Sequence, residues 1–205
     1  MQHSFTIMMC CAALMPDPSV AQCLTTSDMA QGVLFTFDND DTTSVRALGA
    51  GMVDVIEYYA ATQTALKFQS YLGPYILRED DLGMNNVVLP DRWGRAIFDA
   101  DLTDLPVPAP GLPTWTGTAV WEEFGAMPQD QTFTADFTAG EAVTLSGCVY
   151  DVVLVKTRVD RPGADHWYDQ YSYYFPALGA SVIVAWNNEE EGFNQALPIA
   201  LERLQ

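Results

Sequence analysis

The sequence predicts an all-β protein, an antiparallel meander forming a curved half-barrel or a two-sheet sandwich, with little helix beyond an N-terminal leader. Three observations carry this. Short runs of β-branched and aromatic residues recur along the chain, each followed by a turn signal about ten residues on, a spacing typical of antiparallel sheets rather than βαβ units. The stretch Leu145–Trp186 reads as three consecutive antiparallel strands and holds the densest aromatic run. Between the two groups of strands, Leu105-Pro106-Val107-Pro108-Ala109-Pro110-Gly111-Leu112-Pro113 enforces extended backbone, because proline fixes φ and removes a donor.

The first segment stands apart from that pattern. Phe5–Met15 is apolar but for Thr6 and too short to span a bilayer, and Pro16-Asp17-Pro18 and Ser19-Val20-Ala21 follow. That order of an apolar run and a small-residue ending is the pattern of a secretory signal peptide over residues 1–21, with cleavage between Ala21 and Gln22. The flank Met1-Gln2-His3 departs from the pattern in having no Lys or Arg. Removal of the leader takes Cys10 and Cys11 with it and leaves Cys23 and Cys148, an even pair that in an exported chain most simply forms one disulfide. Lipidation of Cys23 is the alternative, against which Gln22 counts, since lipid-modified cysteines follow a small residue. The remaining residues 22–205 are expected to form a single all-β domain.

The elements follow in order. Ser27 or Asp28 caps a short turn before Gly32, and strands are expected at Val33–Phe37, Ser44–Leu48 and Met52–Tyr59. Thr64–Tyr71 alternates, and Leu72-Gly73-Pro74 turns the chain into Tyr75–Glu79. Asp80–Pro113 reads as an ordered crossover with one short strand at Ala96–Asp99. Strands follow at Thr114–Phe124, Gln131–Phe137 and Ala142–Leu145, leading into the Leu145–Trp186 stretch. The tail Gln195–Leu204 is an edge strand or a short helix, and Pro198 favours the edge.

Charge and motifs exclude several functions. With 27 acidic against 9 basic residues, net charge −18, the surface repels phosphate backbones, so nucleic acid is not expected as a partner. No phosphate loop, dinucleotide fingerprint, nucleophile elbow or zincin motif is present, and no cofactor is expected. His166 is the sole histidine after the leader, and strand geometry sends it and Asp165 to opposite faces of a hairpin. The same alternation separates Glu122 from Glu123. Asp38-Asn39-Asp40-Asp41 is an Asx-rich hairpin that lacks the ligand spacing of a calcium loop. A carboxylate hydrolase would need two of Glu57, Glu122, Glu123, Asp151 and Asp169 to converge. On the strand after the hairpin, Trp167, Asp169, Tyr171, Tyr173 and Phe175 share one face and Tyr168, Gln170, Ser172 and Tyr174 the other. With Val149, Val153, Val155, Val159, Val182, Val184 and Trp186 on neighbouring strands, one large apolar face is expected, either core or a concave ligand surface.

Gly147-Cys148-Val149-Tyr150-Asp151-Val152 followed by Tyr173-Tyr174-Phe175-Pro176-Ala177-Leu178-Gly179 resembles a C-terminal pattern of uncharacterised exported proteobacterial β-proteins, similar to segments of the DUF3108-like and LolA-like half-barrel groups. The resemblance implies a curved antiparallel sheet and transfers no catalytic residue. Taken together, the chain is expected to be a non-enzymatic exported protein, periplasmic or extracellular, binding an apolar ligand or an envelope partner without a membrane span. A structural module without ligand and a carboxylate hydrolase are the alternatives.

Overall fold

A computed structural model describes residues 23–161 and 167–204. Among these residues the strands are β1 (Val33–Phe37), β2 (Thr42–Gly49), β3 (Met52–Tyr59), β4 (Thr64–Tyr71), β5 (Tyr75–Leu82), β6 (Val88–Phe98), β7 (Trp115–Glu123), β8 (Gln129–Ala139), β9 (Val143–Leu145), β10 (Cys148–Tyr150), β11 (Val153–Asp160), β12 (Trp167–Phe175), β13 (Ala180–Asn188), β14 (Gly192–Gln195) and β15 (Pro198–Arg203). Their helical content is two single turns of 3-10 helix, at Met84–Asn86 and Leu102–Asp104. The fold is all-β, as the sequence predicts. Most strands alternate buried and less buried residues with period two, as in Val33–Phe37 and Gln131–Phe137, which is what a pleated strand with one face on a core requires.

Thirteen strands form one antiparallel sheet in the order β14-β13-β12-β11-β8-β7-β6-β5-β4-β3-β2-β1-β15, and β9 pairs with β10 in a separate hairpin. The ladder does not close into a barrel. Its two edge strands are nevertheless consecutive in the chain, joined by Ala196 and Leu197. Ala196 N–H donates to the Val184 carbonyl, and Asp38 N–H donates to the Leu197 carbonyl. One bent piece of chain thus pairs with β13 as β14 at one edge of the sheet and with β1 as β15 at the other. The tail is therefore an edge strand, with Pro198 at its first position, where a missing donor costs least.

The sheet rolls around its own β12 and β13. Tyr174 and Phe175 are neighbours and point to opposite faces, yet both are buried. Tyr174 joins a cluster with Tyr75, Phe133, Phe137, Val153 and Val155. Phe175 belongs to a second cluster with Phe35, Val55, Phe68, Val182 and Val184, and its ring centroid lies 5.3 Å from that of Phe35. Double coverage explains why β12 from Asp169 and β13 as far as Ala185 bury neighbouring residues on both faces rather than every second one. It also corrects the expectation of one large apolar face. Val153 and Val155 pair across from Tyr174 and Ser172, whereas Val182 pairs across from Tyr173, so the valines divide between the two clusters. Val149 belongs to neither and is exposed.

Where the rolled layers touch, side chains give way. Gly73, in the β4–β5 turn at φ 97°, lies against β13 so closely that a Cβ would sit 2.6 Å from the Ser181 backbone nitrogen. Gly73→Ala is expected to destabilise the protein by about 2–4 kcal/mol, combining the left-handed backbone penalty with overpacking against a backbone that cannot move aside. Urea unfolding measures this; an unchanged midpoint would show the contact to be loose.

The crossover differs from expectation in one element. In place of a short strand at Ala96–Asp99, β6 runs for 11 residues through Pro90 and Gly94. Proline fits because β6 pairs with β7 only from Gly94 onward, leaving Pro90 on a locally free edge. Gly94 lies beneath the Trp121 ring, 2.8 Å from where its own Cβ would fall to Trp121 Cε2. The proline-rich segment after β6 is ordered, as expected: Leu105 is buried and Tyr75 donates a hydrogen bond to the Pro106 carbonyl at 2.9 Å.

Candidate functional site

Two regions bring chemistry together, at opposite ends of the strands. The first is organised by Cys23 and Cys148, bonded with Sγ–Sγ 2.01 Å and Cα–Cα 5.5 Å as the sequence reading expects. The β9–β10 hairpin presents Cys148 directly across from Leu145, and its tight turn is made by Ser146 and Gly147, both at positive φ. Leu24 N–H donates to the Tyr150 hydroxyl at 2.9 Å, and the Tyr150 ring stands edge-on to Phe175. Burial raises the Tyr150 phenol, with the Leu24 contact opposing. Ser146 Oγ accepts from Leu201 N–H at 3.1 Å, linking the hairpin to β15. Asp28 Oδ2 accepts from Thr25 N–H, and Asp28 Oδ1 also holds Arg203 at 2.7 Å. The Thr25 bond, aided by Arg203, keeps the Asp28 carboxyl below its ordinary value. Between these parts lies an open cleft of about 360 Å³, walled by Leu24, Leu145, Tyr150 and Leu201, with Ser146, Glu202 and Arg203 as polar groups.

The second region lies inside the roll, near the opposite end. Along β3, Val53, Val55, Glu57 and Tyr59 share a face, so the lining changes from apolar to polar toward the turn at 60–63. Glu57 is 6% exposed and accepts a hydrogen bond from Tyr59 Oη at 2.6 Å. Desolvation lifts its carboxyl to about 7; the Tyr59 bond opposes that rise, and Glu79 and Asp41 add to it. Glu79 is raised as well, by burial first and then by Asp81, with Arg161 opposing. The Tyr168 phenol on β12 feels both carboxylates and is pushed up by burial and by their charge. Register places Val55, Phe68 and Glu79 side by side, so Glu79 lies two strands across and two residues along from Glu57 on one face, about 12 Å of sheet. Gln131, Thr157, Gln170 and Ser172 continue this buried polar lining, with Gln170 Nε2 donating to Ser172 Oγ at 3.1 Å.

Of the five carboxylates considered from sequence, Glu57 alone is buried on this face; Glu123 shares it, paired through Gly94 with Glu79 and adding to the charge Glu79 feels, but is exposed. Glu122 and Glu123 occupy opposite faces, the first held by Arg95 Nε at 2.7 Å and the second by Trp121 Nε1 at 3.2 Å. Asp169 is buried on the other face of β12 and neutralised by Lys156 at 3.0 Å and Arg158 at 3.6 Å. Asp151 is exposed between β10 and β11. Glu57 shares its face and its charge field with Glu79 instead, at the end of the strand expected over Tyr75–Glu79 and not among the five. A bulge hid it. Ser70 pairs with Ile76 but Gln69 with Arg78, so the face switches at Leu77 and Glu79 turns inward.

The Asp38–Asp41 segment is an Asx-rich hairpin in which carboxylates serve the backbone. Asp38 Oδ1 accepts from Leu197 N–H, and Asp41 Oδ1 accepts from Ala60 N–H. Among the described residues, no group of three or more His, Cys, Asp or Glu is placed to hold a metal, and no helix is long and apolar enough to cross a membrane. The leader, the Ala21–Gln22 cleavage point and the Asp165–His166 pair lie outside the described residues.

The chain matches no family model, no curated protein and no solved structure.

Proposed function

We propose that the protein is a non-enzymatic exported binding protein, acting in the periplasm or outside the cell, whose cleft beside the disulfide takes a small apolar ligand. The cleft carries this reading. It is an open cleft of about 360 Å³ whose floor is made by Leu24, Leu145, Tyr150 and Leu201, with Ser146, Glu202 and Arg203 as the polar groups that would orient a ligand. Its walls belong to rigid parts: the disulfide, the β9–β10 hairpin and β15 fix one another through Leu24–Tyr150 and Leu201–Ser146. A disulfide is at home in an oxidising compartment, which supports export.

Nile red titrated into the chain comprising residues 22–205 tests it. Saturable fluorescence, displaced by a fatty acid and reduced at least about tenfold in affinity by Leu201→Phe, is the expected result; a tenfold loss corresponds to about 1.4 kcal/mol. Equal dye binding by the variant, with unchanged circular dichroism, removes the cleft as the site. A carboxylate hydrolase is supported by Glu57 and Glu79 on their shared face. Turnover of model glycosides that disappears in Glu57→Gln would establish that reading in place of the first.

A further inference from the structure

Away from the cleft, a separate surface points to a protein partner. The β5–β6 and β7–β8 connections emerge at the same end of the sheet, on either side of the start of β6. Gly83 N–H donates to the Val87 carbonyl, which closes the first connection, and Phe124 N–H donates to the Trp93 carbonyl, which lays the second beside β6. These two connections expose large apolar side chains: Met84 is 89% exposed, Met127 83%, Val87 61% and Phe124 57%. β6 bulges here: Val88 pairs with Leu82 and Trp93 with Asp80, so five residue steps of β6 lie opposite two of β5, about 7 Å of strand, and the two connections come close together. Exposed residues of this size on neighbouring loops mark an interaction surface rather than scattered surface apolarity.

The surrounding charge states the partner's chemistry. Glu123 and Asp130 flank the β7–β8 connection, and the interval 122–130 contains no Lys or Arg. On the other side Asp81 and Asp91 frame the β5–β6 connection; Arg92 there is engaged by Asp81 at 3.4 Å. An apolar strip between carboxylates complements a segment with apolar residues on one face and basic residues beside them. Pro90 removes a backbone donor from the free edge of β6, so docking proceeds through side chains rather than by strand addition. The same negative field, with net charge −18, opposes a second copy of the chain or an anionic bilayer at this place.

We propose that the Met84–Val87–Phe124–Met127 surface docks a basic amphipathic helical segment of a partner protein. The surface lies apart from the cleft, so either can fail alone. A synthetic leucine–lysine peptide of helical periodicity, its leucine–glutamate counterpart and phosphatidylcholine vesicles are the probes for calorimetry with the chain of residues 22–205. Phe124→Ser with Met127→Ser keeps every charge, and Phe193→Ser with Ile199→Ser serves as an exposed control elsewhere. The expected result is binding of the lysine peptide, weakened at least about tenfold by the first pair and unchanged by the second, with no binding of the glutamate peptide. Equal loss in both pairs, or none in either, reduces the interaction to non-specific charge and overturns the proposal. Binding of the vesicles that depends on Phe124 and Met127 overturns it in favour of a membrane. Dimerisation lost with the same pair overturns it in favour of self-association.

Discussion

Replacing Cys23 and Cys148 together by serine is expected to lower the unfolding free energy by about 2–5 kcal/mol and the melting temperature by roughly 5–15 °C. The bridge spans 125 residues of sequence. In the chain-entropy treatment, opening a loop of that length restores to the unfolded state freedom worth about 5 kcal/mol. The folded state loses more than a tether. Residues 23–32 hold no strand of their own; the disulfide and the Leu24–Tyr150 hydrogen bond fix their start, and the Asp28–Arg203 pair and the bonds from Ala47 N–H to the Met29 carbonyl and Leu204 N–H to the Gly32 carbonyl fix the rest. Leu24, buried next to the bridge, depends most directly on it for its place in the core. Reduction of the wild-type chain should reproduce the loss, and Nile red binding should fall with it, because Leu24 forms one wall of the cleft. Urea unfolding with and without reductant measures both effects. A double-serine variant that melts within about 2 °C of the wild type would show that the hairpin and the N-terminal turn hold together without the bond.

How much of this was legible beforehand follows from what each feature depends on. β3 and β4 were readable to the residue, since Met52–Tyr59 and Thr64–Tyr71 alternate cleanly between turn signals. The disulfide was readable by counting cysteines once the leader was set aside. β6 was not, because Pro90 and Gly94 argue against a strand on local grounds and are admitted here by a free edge and by the Trp121 ring, both tertiary facts. The interior pair Glu57 and Glu79 was half legible. Glu57 shares a face with Val53 and Val55 by simple alternation, whereas Glu79 enters through a bulge that shifts the parity of β5. Aromatic density in β12 was visible, but alternation alone could not reveal that the sheet would fold over both faces of the strand, and this divides the valines between two clusters. Local pattern therefore gave the strands, and long-range rolling gave the sites.

Glu57→Gln is expected to make the protein more stable than the wild type at pH 8 and to remove most of the pH dependence between 4.5 and 7. The Glu57 carboxyl has its ordinary value near 4.5 when unfolded and about 7 when folded, chiefly through burial. The folded state therefore holds a proton that the unfolded state has released, and stability falls as pH rises across that interval. The full contribution is present below pH 4.5 and is lost as pH passes through about 7, by at most about 3 kcal/mol. Glu79 is raised too and acts in the same direction. Asp28, lowered by Thr25 and Arg203, acts in the opposite sense and only as acid is added, so the two effects separate along the pH axis. Glutamine keeps the shape of the protonated side chain and carries no charge at any pH, so it should match the wild type in acid and exceed it in base. Tyr59→Phe supplies the complementary test. Tyr59 donates to the ionised carboxylate, and removing that donor should steepen the loss toward high pH rather than flatten it. Urea midpoints from pH 4.5 to 8 for the three proteins decide the matter. A Glu57→Gln chain less stable than the wild type at pH 8 would mean that the charged carboxylate is the form the interior is built to hold, and Glu57 would then have to be read as the receiver of a cation rather than of a proton.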